Sequence, residues 1–236
     1  MLILLSTTRD AGYRTLNAMD SWRRFADRII LFGFEGREAK LKAGFGFVWN
    51  VDRNSHGTPL VSDIFDAYPD QGNTFVFVNS DVMLFSVEEA IAKVEALDIG
   101  GSWLMVGQRR NMDIQDRINF EGLDLAGLHN LATHYQYLPP CGIDYFIWRN
   151  VDWSHMPPFA VGRLAYDNWI VYDALQRCIP VIDATRVILA AHQNHPEREG
   201  VRQCPEAREN FRMAKQYYPK WTAWDGWIHH ATYRIS

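Results

Sequence analysis

Residues 74–84 read TFVFVNSDVML: an apolar run, Phe75 to Val78, stops at Asn79-Ser80-Asp81 and then resumes. A short run with no polar alternation is the mark of a strand buried on both faces. A carboxylate directly after such a strand stands at the open edge of a sheet. The surrounding chain repeats the pattern. Apolar runs at 2–5, 28–33, 74–78, 103–107, 143–148 and 180–184 read as strands, and 187–191 is a further apolar run. Between them, helical spacing predicts helices around 16–26 (Leu16, Met19, Trp22, Ala26) and over 166–177. Thr58 and Pro59 suit the cap and first position of a helix over 59–68. Ser86 and Glu89 have capping-box spacing for another helix. Residues 35–58, rich in Gly, Asn, Asp and Lys, read as loop, and 196–220 as charged and helical.

Alternating strands and amphipathic helices predict an α/β protein with a largely parallel sheet covered on both faces. In such sheets ligands bind beyond the carboxyl ends of the strands, where Asp81 stands. The whole of 1–236 reads as one domain, with a nucleotide-binding half of about 1–110, an acceptor half of about 111–195 and a helical, Trp-rich segment over 196–236.

Composition narrows the class. The chain is 47% hydrophobic and 22% charged, which excludes disordered and fibrous classes. Nine Trp, ten Tyr and thirteen Phe exceed what a core of this size needs, so some are expected to line a cleft. A net charge of −4 weakens any reading as a general nucleic-acid binder. Cys141, Cys178 and Cys204 lack CxxC spacing, so neither a disulfide framework nor a thiolate zinc site is indicated. The opening MLILLSTTRD has too short an apolar run for a signal peptide or a membrane span, and a cytoplasmic location is expected. Neither GxGxxG nor GxxxxGK[ST] occurs, which argues against a Rossmann dehydrogenase or a P-loop ATPase.

The order of elements, with NSD at 79–81, then GIDYFIWR, MPPFAVGRLAYDNWIVYDAL, IPVIDAT and HQNH between 142 and 195, resembles nucleotide-sugar-dependent glycosyltransferases of the GT-A fold. The resemblance implies a three-layer sandwich with a mainly parallel central sheet. It also implies hexosyl or pentosyl transfer from a nucleotide-sugar donor, a UDP-sugar first, to a saccharide or other hydroxyl acceptor. Asp81 takes the place of the DxD-type carboxylate that binds a divalent metal, Mn²⁺ or Mg²⁺. Asn79 replaces the motif's first Asp, which leaves one carboxylate fewer for the metal. His192, or second to it His195, is the implied late metal ligand. Thr7, Arg9, Asp10, Asn79, Ser80, Arg109 and Arg163 fall on the donor side. Asp167, with Asp144 as the other candidate, is the carboxylate implied for deprotonating the acceptor, and Asn168 and Trp169 flank the acceptor. Two further readings stand beside this one: transfer to a modified base in DNA, and a carbohydrate-binding module without chemistry.

Overall fold

The computed structural model describes residues 1–8, 12–33, 45–48, 51–68, 72–195 and 203–236, with only the backbone described at 45–48. Strands β1 (Leu2–Thr7), β2 (Arg28–Phe32), β3 (Phe45–Val48) and β4 (Thr74–Val78) pair in parallel in the order β3-β2-β1-β4. The chain moves outward from β1 and returns to its other side, so the order reverses between β1 and β4. Such a switch point leaves a crevice at the carboxyl ends of the two strands. Ser6 Oγ donates to the Val78 carbonyl across it at 2.6 Å.

Beyond β4 the sheet continues through β7 (Ile143–Arg149), β6 (Trp103–Met112), β8 (Val181–Asp183) and β10 (Tyr233–Arg234). In this path only β7 is antiparallel to its neighbours. The last residues of β6, Arg109 to Met112, leave the main sheet to pair in parallel with β9 (Leu189–Gln193). In turn β9 pairs antiparallel with β5 (Val82–Phe85).

Alternation along the strands sorts the core into two layers. Leu4, Val76, Val78 and Met105 face one cluster, with Met19 and Trp22 of α1 (Tyr13–Trp22), Val87 and Ala90 of α3 (Val87–Glu95) and Leu128 of α4 (Leu125–Ala132). Leu5, Phe75, Phe77 and Val106 face the other, with Ile64 of α2 (Val61–Asp66), Trp169 of α5 (Tyr166–Gln176) and Ala214 of α6 (Pro205–Tyr217). The architecture is the expected GT-A-like three-layer α/β sandwich with a mainly parallel sheet.

Several local expectations are corrected. Residues 45–48 form a strand rather than loop, because pairing in parallel with β2 extends the sheet edge. The rest of the expected loop falls partly at 35–44 and 49–50, outside the described residues. Helix α2 starts two residues after Pro59. Leu60 instead donates its amide to the Asp52 carbonyl, and the Pro59 carbonyl accepts from Val161, which holds both residues extended. Ser86 precedes α3 with φ 63, in the left-handed region, so its side chain makes no cap bond and no capping box forms. Strand β6 runs past the expected end at 107, through Arg109 and Arg110, to Met112. After α6 the chain is not helical except for one 3₁₀ turn at Ile228–His230. No helix among the described residues is long and apolar enough to cross a membrane.

Candidate metal and transfer site

The turn from β4 into β5 is closed by the Val82 amide donating to the Asn79 carbonyl at 3.1 Å, which lifts Asp81 to the crevice. The β5–β9 ladder sets Val82 opposite His192, so two segments more than a hundred residues apart in sequence meet there. His192 Nε2 lies 3.4 Å and His195 Nε2 2.9 Å from Asp81 Oδ2. Buried Gln193 fixes this junction. Its backbone amide and side-chain amide both donate to the Asp81 carbonyl, at 3.1 and 3.2 Å, and its Oε1 accepts from Asn17 of α1 at 2.9 Å. Gln193 is a positioning residue that sequence reasoning passed over, although it lies inside HQNH.

Two polar atoms in this cluster are buried without a hydrogen-bond partner among the described residues: Asp81 Oδ1 and His192 Nδ1. Buried polar groups are rarely left so. Burial alone would raise the Asp81 carboxyl. The hydrogen bonds and charges of His192 and His195 outweigh it and hold that carboxyl well below the usual carboxylate range. One carboxylate oxygen and one nitrogen from each imidazole lie within 4.8 Å of one another. Ligands about 2.1 Å from one ion stand roughly 3.0–3.4 Å apart at octahedral to tetrahedral angles. Of the observed separations, 3.4 Å falls at the upper end of that range and 2.9 Å just below its lower end. The residues present therefore fit a divalent cation, and their nitrogen donors suit Mn²⁺ better than Mg²⁺.

Asp144 of β7 is the hub on the neighbouring side. Its Oδ1 accepts from Asn79 Nδ2 at 2.6 Å, and its Oδ2 accepts from Arg109 Nη1 at 2.6 Å. Arg109 Nε also donates to Asn111 Oδ1 at 3.1 Å. Both Asp144 oxygens are thus engaged in holding Asn79 and Arg109. Asn79, where the motif has an Asp, is a donor that braces the turn through Asp144.

Asp167, the second residue of α5, is half-buried. Its carboxyl is raised to about 7, chiefly by burial and further by the Asp144 charge, with the Asn168 amide and Arg109 opposing. Tyr166 beside it is buried. Its hydroxyl is pushed well above its ordinary value, by burial first and then by Asp167, Asp144 and Asp81. Tyr166 had no distinguishing signal beyond adjacency to Asp167.

Other expected site residues take different places. Trp169 is fully buried against Phe159, Tyr217 and Tyr218, so it is a core residue with no face for an acceptor. Asn168 turns its amide to the Cys141 carbonyl at 3.4 Å, tying α5 to the loop before β7. Arg163 is held by Glu206, with both Nε and Nη2 2.7 Å from Oε2, rather than standing free for a diphosphate. Thr7 ends β1 at the switch point and Ser80 lies in the turn, each half-buried. Arg9 and Asp10 lie outside the described residues.

No family model and no curated protein sequence matches this chain. Among solved structures it is similar to Rv0371c from Mycobacterium tuberculosis H37Rv, at 13% identity and a TM-score of 0.40, over 91% of this chain and 97% of that one. It is also similar to the 4-diphosphocytidyl-2C-methyl-D-erythritol synthase of Anaerococcus prevotii DSM 20548, at 14% identity and 0.40, over 93% and 98%. At these values nothing about the chemistry of this chain rests on either likeness.

Proposed function

We propose that this chain transfers a glycosyl group from a nucleotide-sugar donor to an acceptor hydroxyl with the help of a divalent cation. The observation that carries the reading is Asp81 at the end of β4 next to the switch point: its Oδ2 meets two imidazoles, and its buried Oδ1 has no hydrogen-bond partner among the described residues. Asp81, His192 and His195 would hold the ion. When bound, a divalent ion offsets the negative charge that develops on a departing nucleoside diphosphate. Arg109, steered by Asp144 and Asn111, presents a fixed cation to the same charge. Asp167 has the property required of a general base for the acceptor hydroxyl: a carboxyl raised to about 7 that ionises near neutral pH. UDP is the first nucleotide to try, with Thr7 and Ser80 at the rim of the crevice beside its base and ribose.

Thermal unfolding with Mn²⁺ and a panel of nucleoside diphosphates and nucleotide sugars tests the reading. A ligand at one hundred times its Kd should add about 2.7 kcal/mol of stability. A shift that needs both Mn²⁺ and one nucleotide, and that disappears in Asp81→Ala, is expected. The absence of any nucleotide-dependent shift in the wild type would remove the donor site.

A further inference from the structure

We infer that the paired indoles of Trp224 and Trp227 form the acceptor subsite, and that the acceptor is a saccharide offering the apolar face of a pyranose ring. Trp224 is 70% exposed, and its ring meets that of Trp227 at a centroid distance of 5.1 Å. An indole left this open in a chain that buries Trp22, Trp103, Trp148, Trp169 and Trp221 completely is a surface feature, not a failure of packing.

Local hydrogen bonds brace the loop that carries the pair. The Thr222 amide and hydroxyl both donate to Asp225 Oδ2, at 2.8 and 2.9 Å, and Trp227 Nε1 donates to the Ala223 carbonyl at 2.8 Å. Bracing of this kind lowers the ordering cost of binding. The same loop is seated against the catalytic helix. Gly226, at φ +70, packs so closely on α5 that a Cβ there would collide with the Asn168 carbonyl oxygen, one residue from Asp167. The Ile228 amide donates to the Pro140 carbonyl at 3.1 Å, on the stretch that Asn168 also grips through Cys141. The loop that carries the indoles is therefore packed through Gly226 on Asn168 and Tyr172 of α5, the helix that also bears Asp167. A pyranose has one face of axial C–H groups that stacks on an indole while its hydroxyls remain outward, a match to an aromatic with one apolar face open. This subsite rests on the transfer reading above, which supplies its role as acceptor site.

Saturation-transfer NMR on the full chain, without nucleotide or metal, reads the indole pair independently of the donor. Cellotetraose, maltotetraose and chitotetraose are the probes, with octathymidylate as the nucleic-acid control. The expected result is saturation of the axial ring protons of at least one tetrasaccharide, lost in Trp224→Ala and kept in Trp224→Phe. The Mn²⁺- and UDP-dependent thermal shift should be unchanged in both variants. The subsite is overturned if no tetrasaccharide is saturated, if Trp224→Ala leaves saturation intact, or if only octathymidylate responds. It is also overturned if Trp224→Ala instead dissolves a dimer seen by sedimentation. A Trp224-dependent sugar signal without any nucleotide shift in the wild type would keep the sugar site and refute the transfer.

Discussion

Asp81 and Asp167 are carboxylates driven in opposite directions. Asp81 stays ionised because two imidazoles outweigh its burial, whereas Asp167 is raised to about 7 because burial and Asp144 outweigh its amide bond and Arg109. For a general base the consequence is a rate that falls as pH drops below about 7 and levels off above it. Asp167→Asn should lower kcat by roughly 10²–10⁴-fold while leaving the Mn²⁺-dependent nucleotide shift in place. It should also alter stability with a definite sign. Between an unfolded value of 3.8 and a folded value of about 7, the folded chain keeps a proton that the unfolded chain has released, so stability declines as pH rises through that window. The neutral amide removes the decline. The variant should melt higher than the wild type at pH 8 and nearly with it at pH 4, which a pH series of melting curves reads directly. Asp81 stood out in the sequence because it interrupts an apolar run at the end of a strand. Helical spacing already favoured core burial for Trp169, as observed, whereas the ion-pair partner of Arg163 was not legible because it lies in another element. Glu206 and the Tyr217–Tyr218 pair come from a distant helix.

At the level of elements, many strand and helix positions followed from hydrophobic period, but β3 reads as loop and α4 was not expected, and some boundaries failed where tertiary pairing overrode local chemistry. Thr58-Pro59 has the chemistry of a helix start, yet Leu60 bonds Asp52 and the Pro59 carbonyl bonds Val161. Strand β6 runs on past Gly107 because β9 offers it a second partner, and nothing in VGQRRNMDI announces that partner. The junction between the C-terminal loop and α5 is the element contact most open to test. Gly226 has a positive φ, and its Cα lies against the Asn168 carbonyl. Gly226→Ala should therefore cost at least about 1–2 kcal/mol from the left-handed backbone alone. The collision with α5 adds to that, and denaturant melts with an unchanged slope would measure the sum. Because Asp167 and Asn168 share that turn, the same variant should impair turnover more than nucleotide binding.

For the whole molecule, the class of fold was readable because alternation of strand and helix admits few layouts. Strand direction was not, since hydrophobic period is blind to it. The antiparallel insertion of β7, and the β5–β9 ladder that creates the His–Asp cluster, emerge only from long-range pairing. Contacts of such sequence separation form late. In stopped-flow refolding, Mn²⁺ binding is expected to appear with the slowest phase, after secondary structure has formed, and a metal signal coincident with the earliest phase would contradict this assembly.

The antiparallel β7 has one more consequence. It comes from the second half of the chain yet lies between β4 and β6, both from the first. A cut in the exposed turn at Glu121 and Gly122 would leave Asp81 on one fragment and His192 and His195 on the other. Neither piece alone would have a continuous sheet or a complete set of metal ligands. Mixed together, the fragments are expected to rebuild the sheet and the Asp81–His192–His195 cluster, which a Mn²⁺-dependent thermal shift of the mixture, absent from either fragment, would check.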